Sequence, residues 1–435
     1  MKEGKQFERF RDPIHGFIEV TPLELKIIDS APFQRLRGIH QLALTHLIYH
    51  GAEHSRFGHS LGVMHLASRV FDTVIAKNPK IFSDAQREWY RQILRLIALT
   101  HDLGHPPFSH ASESILAIGL EHEDFTEKII KETEIADYIN EIGQTLAANY
   151  GSDDYAISPE LISDIYLGRS GDNPHFIFLR KFMDSELDCD KMDYLLRDSY
   201  YCGVKYGSFD LERLIGSIDI YERESQLWLA VDKGGIHAVE EFILARYFMF
   251  VQVYFHRARR LYDKMLTWFL QEELPDKRYP SDVHEYLKWD DARVWGLIKE
   301  KESSNEWADR IINRRLFSVV DESSTHSGYE ESRISNIILS DLRREIGRES
   351  IIVDSADKAP HKIPSRHDID DEKAIPVIVP YSQYPVSLSD ESGIINNITK
   401  PINIIRIYAK EEYFDKAKAI CEQRRKDMIG TSEED

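Results

Sequence analysis

The chain has 435 residues, with 55 Lys and Arg against 74 Asp and Glu, a formal net charge of −19 and a hydrophobic fraction of 42%. At about 150 residues per domain, this length allows two or three units, or one large helical domain with an appendage, and the apolar fraction excludes a largely disordered chain. The acidity argues against coating duplex nucleic acid, which needs many Lys and Arg on one face, whereas a small anion needs only a local cluster of metal and basic side chains.

Three cysteines (Cys189, Cys202 and Cys421) leave no room for a disulfide framework. The start, MKEGKQFERFRD, lacks the apolar stretch of a secretory signal, and the most apolar run, Phe242 to Phe255, is interrupted by Arg246. A soluble cytoplasmic protein with no membrane partner is expected.

In chain order, DPIHG marks a turn at Asp12-Pro13 and Gly16. TPLELKIIDS predicts a short helix with Thr21 as N-cap and Pro22 at the first helical position. From Phe33 to about Leu214 most segments read as helices. They include Ser55 to Ala76, Trp89 to His101 (apolar nearly all round), Glu160 to Ile165 and Phe176 to Tyr201. Gln226 to Val231 reads as a strand, and a long helix is predicted from about His237 to Leu270. The character changes near residue 320. Asp321 to Gly328 is turn-rich, and Asp354 to Lys373 has no period. Ser350 to Val353, Ala374 to Val379 and Ile402 to Ala409 read as strands, Glu411 to Met428 as a closing helix, and GTSEED as an acidic frayed end. The expected fold class is mainly α: a helical domain over 1–290 and a smaller α+β appendage over 291–435.

Ten of the 18 histidines lie between His40 and His122, a window of 83 residues. Imidazole is the commonest metal ligand and titrates near neutral pH, so a shared local purpose is expected. The sharpest element is THDLGHPPFSH. His101 and Asp102 end an apolar helix that Gly104 and Pro106-Pro107 then stop. A bend there can bring an imidazole and a carboxylate to one ion, although a lone His-Asp pair is usually a capping Asp beside a core histidine. Upstream, HSRFGHSLG places His59 near a helix start. Downstream, ELDCDKMDYLLRD carries Glu186, Asp188, Asp190, Asp193 and Asp198, with Asp190, Tyr194 and Arg197 on one helical face. A solvated acidic face is the competing reading. Two imidazoles and two carboxylates with room for water suit Mn²⁺, Fe, Zn²⁺ or Mg²⁺.

HSRFGHSLG, HDLGHPPFSH and DCDKMDYLLRD, in this order and spacing, resemble the HD-superfamily metal phosphohydrolases, and within them the dNTP triphosphohydrolases of the SAM-and-HD type, without the SAM domain. The resemblance covers roughly Phe7 to Lys264, with the motif core at about 35–264, and includes DPIHG, FQRLRGIHQL and Tyr254-Phe255-His256. It implies His59, His101, Asp102 and Asp190 as ligands of one divalent ion, with a further Mg²⁺ accompanying the triphosphate. It also implies His110 and His122 near the scissile phosphate, with Glu123 orienting one of them. His105, Arg56, Lys191 and Arg246 would face the triphosphate, Gln41 and Asp198 the 3′-hydroxyl, and Tyr194 the phosphates and sugar. Tyr254 would pack on the deoxyribose and leave no space for a 2′-hydroxyl.

Asp29, Gln34 and Arg37 match base-reading positions of an activating guanine-nucleotide or dNTP site in such relatives, which form homodimers or homotetramers. Here Glu8 replaces an expected phosphate-binding lysine. His40, His46, His50, His54 and His65 read as structural or pocket-lining. The implied reaction is hydrolysis of a dNTP to deoxynucleoside and tripolyphosphate. The alternatives are an HD-type phosphodiesterase or nuclease, for which His105, His110 and His122 could hold a second metal, and a non-catalytic nucleotide-sensing scaffold.

Overall fold

The computed structural model describes residues 7–364, 371 and 373–430. The expected frayed end lies outside the described residues from Thr431 onward, as do the first six residues of the charged start and 365–370 and 372 of the aperiodic stretch.

A capping box starts the first helix, α1 (Pro22–Asp29). The Thr21 hydroxyl accepts from the Glu24 amide at 3.2 Å, and the Glu24 carboxylate accepts from the Thr21 amide at 2.8 Å. That carboxylate is fully buried and also receives Arg95 Nε at 2.6 Å and Nη2 at 2.7 Å, which ties α1 to the helix over Asp84–Thr100. Ahead of it, β1 (Glu8–Asp12) and β2 (Gly16–Val20) form an antiparallel hairpin that the sequence announced only by its turn. Asp12 Oδ1 accepts the Ile14 and His15 amides at 2.8 and 3.0 Å, and Gly16 sits at φ +76°, where a side chain would be strained.

The helical body contains α2 (Arg56–Lys77), α3 (Asp84–Thr100), α4 (His122–Glu132), α5 (Glu134–Tyr150), α6 (Pro159–Tyr166), α7 (Pro174–Lys181), α8 (Cys189–Cys202), α9 (Ile236–Met249) and α10 (Arg257–Glu273). From Ile93 to Thr100 every residue of α3 is buried, as its apolar sequence requires. Two predicted helices are each two. The stretch 176–201 breaks between α7 and α8 because the Asp188 side chain caps α8, accepting from the Lys191 amide at 2.8 Å. The helix expected over 237–270 widens into a π-turn at Phe250–Tyr254 and ends at Phe255 before α10 begins. No proline or glycine marks that break. π-turns of this kind cluster at functional sites, and this one carries Tyr254.

The predicted strands are present as β4 (Gln226–Asp232), β6 (Ile351–Lys358), β7 (Pro376–Ile378) and β9 (Ile402–Ala409). They are joined by β3 (Ile218–Arg223), β5 (Ser318–Glu322) and β8 (Val386–Ser387). Asp321 and Glu322 thus extend in β5 rather than turning. Strand order is β3-β4-β7-β8 in one sheet and β5-β9-β6 in another. The longest helices of the carboxy-terminal region are α11 (Asp291–Lys301), α12 (Tyr329–Ile346) and α13 (Phe414–Gly430), of which α12 has no counterpart among the predicted elements. Strand β4 pairs in parallel with β7, Val231 opposite Val377, and one apolar core runs from Ile18 to Ile404. Sheet and core therefore cross the boundary expected at residue 290. No helix among the described residues is long and apolar enough to cross a membrane.

The Glu24–Arg95 pair gives a measurable consequence. Burial opposes ionisation of Glu24, but the hydrogen bonds and charge of Arg95 outweigh it and hold its pKa below 4.5. Its stabilisation is therefore complete above the unfolded-state value and is lost as pH falls through the lower folded-state value. Glu24→Ala should cost about 3–5 kcal/mol in denaturant unfolding at neutral pH, because it leaves Arg95 buried and unpaired. The variant should also lose the part of the acid dependence that Glu24 supplies.

Candidate metal centre and nucleotide-sized cavity

His59, on the first turn of α2, is buried and meets three carboxylates. Its Nδ1 lies 2.8 Å from Asp193 Oδ2, and its Nε2 lies 2.9 Å from Asp190 Oδ1 and 3.6 Å from Asp102 Oδ2. His101 follows the end of α3. Its Nδ1 lies 2.8 Å from the Ala98 carbonyl, while its Nε2 is buried with no hydrogen-bond partner, 3.3 Å from Asp102 Oδ1 and 3.8 Å from Asp190 Oδ1. Burial favours neutral His59, yet its hydrogen bonds to Asp190 and Asp193 and the charge of Asp102 raise its pKa to about 10. The surroundings call for a cation. His59, His101 and Asp102 each place a ligand atom within 4.8 Å of the others, and Asp190 faces them from α8. An orphaned imidazole nitrogen among carboxylates fits a divalent ion, which His59, His101 and Asp102 could hold with Asp190 facing them.

Two glycines permit this approach. A Cβ on Gly62 would lie 1.9 Å from Asp193 Oδ1, and one on Gly104 would lie 1.9 Å from the His122 carbonyl. The first lets α2 and α8 close on each other, and the second seats the HD turn against the start of α4.

Beside the centre, His105 stacks on His122 with ring centroids 4.0 Å apart. Glu113 Oε1 lies 2.9 Å from Nδ1 of both His110 and His122. Burial works against its ionisation, but hydrogen bonds from these two histidines hold its carboxyl far below the usual range. Glu123, expected to orient one of these histidines, lies 3.1 Å from His122 Nδ1, and Glu113, which was not expected, reaches both. Its position three residues after His110 in HASE was the available signal.

A cavity of about 780 Å³ opens next to these groups, lined by Gln41, Arg56, His110, Tyr194, Asp198 and Tyr254 among others. The Asp198 carboxylate is fixed at both oxygens, by His54 Nε2 at 2.7 Å and by the Tyr254 hydroxyl at 2.7 Å. His54 is therefore a positioning residue, not merely a lining one. Gln41 Oε1 is buried without a partner and available to a ligand. Arg56 lines the cavity, but its Nη1 donates to Asp102 at 2.6 Å and its Nε to Ser109 at 2.7 Å, so it braces the metal ligand as well.

A second pocket of about 360 Å³ adjoins Asp190 and shares Tyr194, Phe250 and Lys358 with the first. It gathers Arg180, Lys181, Lys191, Arg246, Lys358 and Lys362 in a strongly acidic chain. Lys191 is held by Asp188, and Arg246 Nη1 donates to the Pro360 carbonyl at 3.0 Å while its Nε is buried without a partner. Lys358 and Lys362 come from the far end of the chain, beyond the reach of any local motif. Arg197, placed by spacing on the same stripe as Asp190 and Tyr194, points the other way, to Asp193 at 2.8 Å and Asp12 at 2.8 Å. Asp29, Gln34 and Arg37 lie outside both pockets. Arg37 Nε donates to Gln34 Oε1 at 2.8 Å, its guanidinium covers Phe57 at 3.5 Å, and Gln34 Nε2 donates to the Ile28 carbonyl at 2.7 Å.

A model of the HD domain matches residues 56–171, and one of the HD associated region matches 209–423. An uncharacterised Bacillus subtilis protein, YwfO, is 33% identical over 90% of this chain and 89% of its own length. The chain belongs to the HD superfamily of phosphohydrolases. A Dictyostelium discoideum relative named deoxynucleoside triphosphate triphosphohydrolase SAMHD1 homolog is 30% identical over 73% of this chain, which spans 61% of that relative's length. A crystal structure of a hypothetical protein from Aquifex aeolicus superposes with a TM-score of 0.77 at 33% identity, covering 95% of this chain and all of that one. As an HD-domain protein with this His/Asp cluster, the chain is a metal-binding hydrolase.

Asp193 accepts from His59 Nδ1, on the ring edge opposite the Asp102 and Asp190 carboxylates, an arrangement that would fix the imidazole as a ligand and raise its basicity. Asp193→Asn should weaken Mn²⁺ binding about 10–100-fold by isothermal titration calorimetry. Unchanged affinity would remove Asp193 from the centre.

Proposed function

We propose that this HD phosphohydrolase cleaves deoxynucleoside triphosphates to deoxynucleoside and tripolyphosphate. The observation that carries the reading is the joining of two pockets at Tyr194, Phe250 and Lys358: a cavity large enough for a nucleoside, with the aromatic rings of Tyr194, Phe250, Tyr254 and Phe255 in its wall, and a basic pocket beside Asp190 suited to a polyphosphate. The name of the Dictyostelium relative supports the same substrate class.

In this reading the sugar and base occupy the larger cavity, with the 3′-hydroxyl on Gln41 and Asp198 and the deoxyribose against Tyr254, whose buried ring excludes a 2′-hydroxyl. The phosphates extend along Tyr194 to Lys191, Arg246, Lys358 and Lys362. Arg246 offers planar paired donors, whereas the lysines act as point charges. His59, His101, Asp102 and Asp190 would hold a divalent ion, which would supply positive charge against phosphate and make a nearby water more acidic. Water oxygen bonds to the α-phosphorus and the bond from that phosphorus to the 5′-oxygen breaks. His110, which lines the cavity with Nδ1 on Glu113, gives a proton to the departing 5′-oxygen, and His122, on the same carboxylate, takes the proton that the attacking water loses. His105 stays neutral, since burial and the charges of Arg56 and His122 keep its pKa well below 6.5.

A second reading rests on His105, Glu113 and His122, whose ligand atoms also lie within 4.8 Å of one another and could hold a second ion for phosphodiester cleavage. Chromatography of products from each nucleotide, singly and in pairs, separates the two. Deoxynucleoside with tripolyphosphate is expected. A requirement for a paired nucleotide would assign Asp29, Gln34 and Arg37 to activation, and cleavage of oligonucleotides alone would replace the proposal with the second reading. Glu113→Gln should lower kcat about 10²–10⁴-fold with little change in KM, the range general acid–base catalysis contributes.

A further inference from the structure

A third group of ligating side chains lies outside both pockets. His40, His46 and Glu53 each place a ligand atom within 4.8 Å of the others, and none of them contributes to the centre described above. The surrounding hydrogen bonds select the same ring nitrogen on both imidazoles. His40 Nδ1 lies 2.6 Å from Asp291 Oδ2, and His46 Nδ1 lies 3.3 Å from the Ala43 carbonyl. An acceptor at Nδ1 holds a proton there and turns Nε2 toward the candidate site, where His40 Nε2 donates to Glu53 in the ion-free chain and a bound ion would replace that proton. His40 Nε2 then faces Glu53 at 3.0 Å, and the His46 ring stacks on the His40 ring with centroids 5.0 Å apart. A carboxylate behind one imidazole, a backbone carbonyl behind the other, and a second carboxylate in front reproduce the outer and inner layers of a two-histidine, one-glutamate site.

We infer that His40, His46 and Glu53 form a second transition-metal site, selective for a borderline divalent ion such as Zn²⁺ over Mg²⁺ or Ca²⁺. Imidazole nitrogens favour that class, whereas the harder ions take oxygen-only sets. The Glu53 side chain is 60% exposed, so an ion reaches the site from solvent without opening the core.

The position gives the ion a task. Ser109 Oγ donates to the His40 carbonyl at 2.6 Å, Arg56 Nε donates to Ser109 at 2.7 Å, and Arg56 Nη1 donates to Asp102 at 2.6 Å. The other Asp291 oxygen accepts the Phe108 amide at 2.6 Å. An ion at His40 therefore braces the segment carrying Gln41, Leu42 and Ala43, which line the larger cavity, against the turn carrying Ser109 and His110.

The test uses the full chain titrated with Co²⁺, followed by visible absorption, and with Zn²⁺, followed by calorimetry. Glu53→Gln and His46→Gln should each lose one metal equivalent that His101→Ala retains, and His101→Ala should lose an equivalent that both of them retain. Asp291→Asn, which keeps an acceptor for Phe108, should weaken only the first class, about 10–100-fold. Thermal unfolding should rise with Zn²⁺ in the wild-type chain and rise less in Glu53→Gln, because an ion bound only to the folded state stabilises it. If Glu53→Gln and His46→Gln bind Co²⁺ and Zn²⁺ as the wild type does, the contact is a hydrogen bond only and the inference is overturned.

Discussion

One buried carboxylate joins the parts of this molecule that chemistry needs together. Asp193, fully buried on α8, meets His59 of α2, His15 of the amino-terminal turn and Arg197 one helical turn along, and Arg197 reaches on to Asp12. Taking a carboxylate out of water costs several kcal/mol unless its lone pairs are filled, and here every direction is filled by a charged or polar partner. The result orients His59, closes α2 onto α8 where only Gly62 fits, and pins the DPIHG turn to the back of the centre. Replacing any one partner leaves another buried charge exposed to its full desolvation penalty, so the cluster behaves as a unit.

Around that unit the charges are sorted by side. Carboxylates of Asp102, Asp190 and Asp193 converge on the imidazoles, where a cation belongs, and lysines and arginines converge on the neighbouring pocket, where an anion belongs. A chain of net charge −19 can thus carry a basic pocket, because a local field inside a pocket is set by its own walls more than by the distant surface. The basic wall is built jointly. Lys191 comes from α8, Arg246 from α9, and Lys358 and Lys362 from the carboxy-terminal region, which explains why that region shares a sheet and a core with the HD body.

The motifs that carry the His/Asp cluster and most of the helices were legible because each is a local signal. His101-Asp102 before Gly104 and two prolines is a helix end with a bend, and Thr21 with Glu24 is a capping box. The five acids of 186–198 were visible but not separable by spacing. Glu186 faces Arg246, Asp188 caps α8, Asp190 faces the metal centre, Asp193 bridges, and Asp198 sits under Tyr254. Illegible features are those fixed by distant partners. Glu113 acquires its role only because α4 brings His122 to it, Lys358 only because β6 ends beside α9, and the break after Tyr254 only through packing, since no proline or glycine marks it.

In the proposed reaction water attacks the α-phosphorus and the 5′-oxygen leaves. Turnover of a dNTP in oxygen-18-labelled water, with mass analysis of both products, shows which bond is cut. One labelled oxygen in tripolyphosphate and none in the deoxynucleoside is the predicted result. Label in a deoxynucleoside monophosphate or in free phosphate would mean that a different bond is cut, and would contradict the assignment of the nucleoside and phosphate ends to the two pockets.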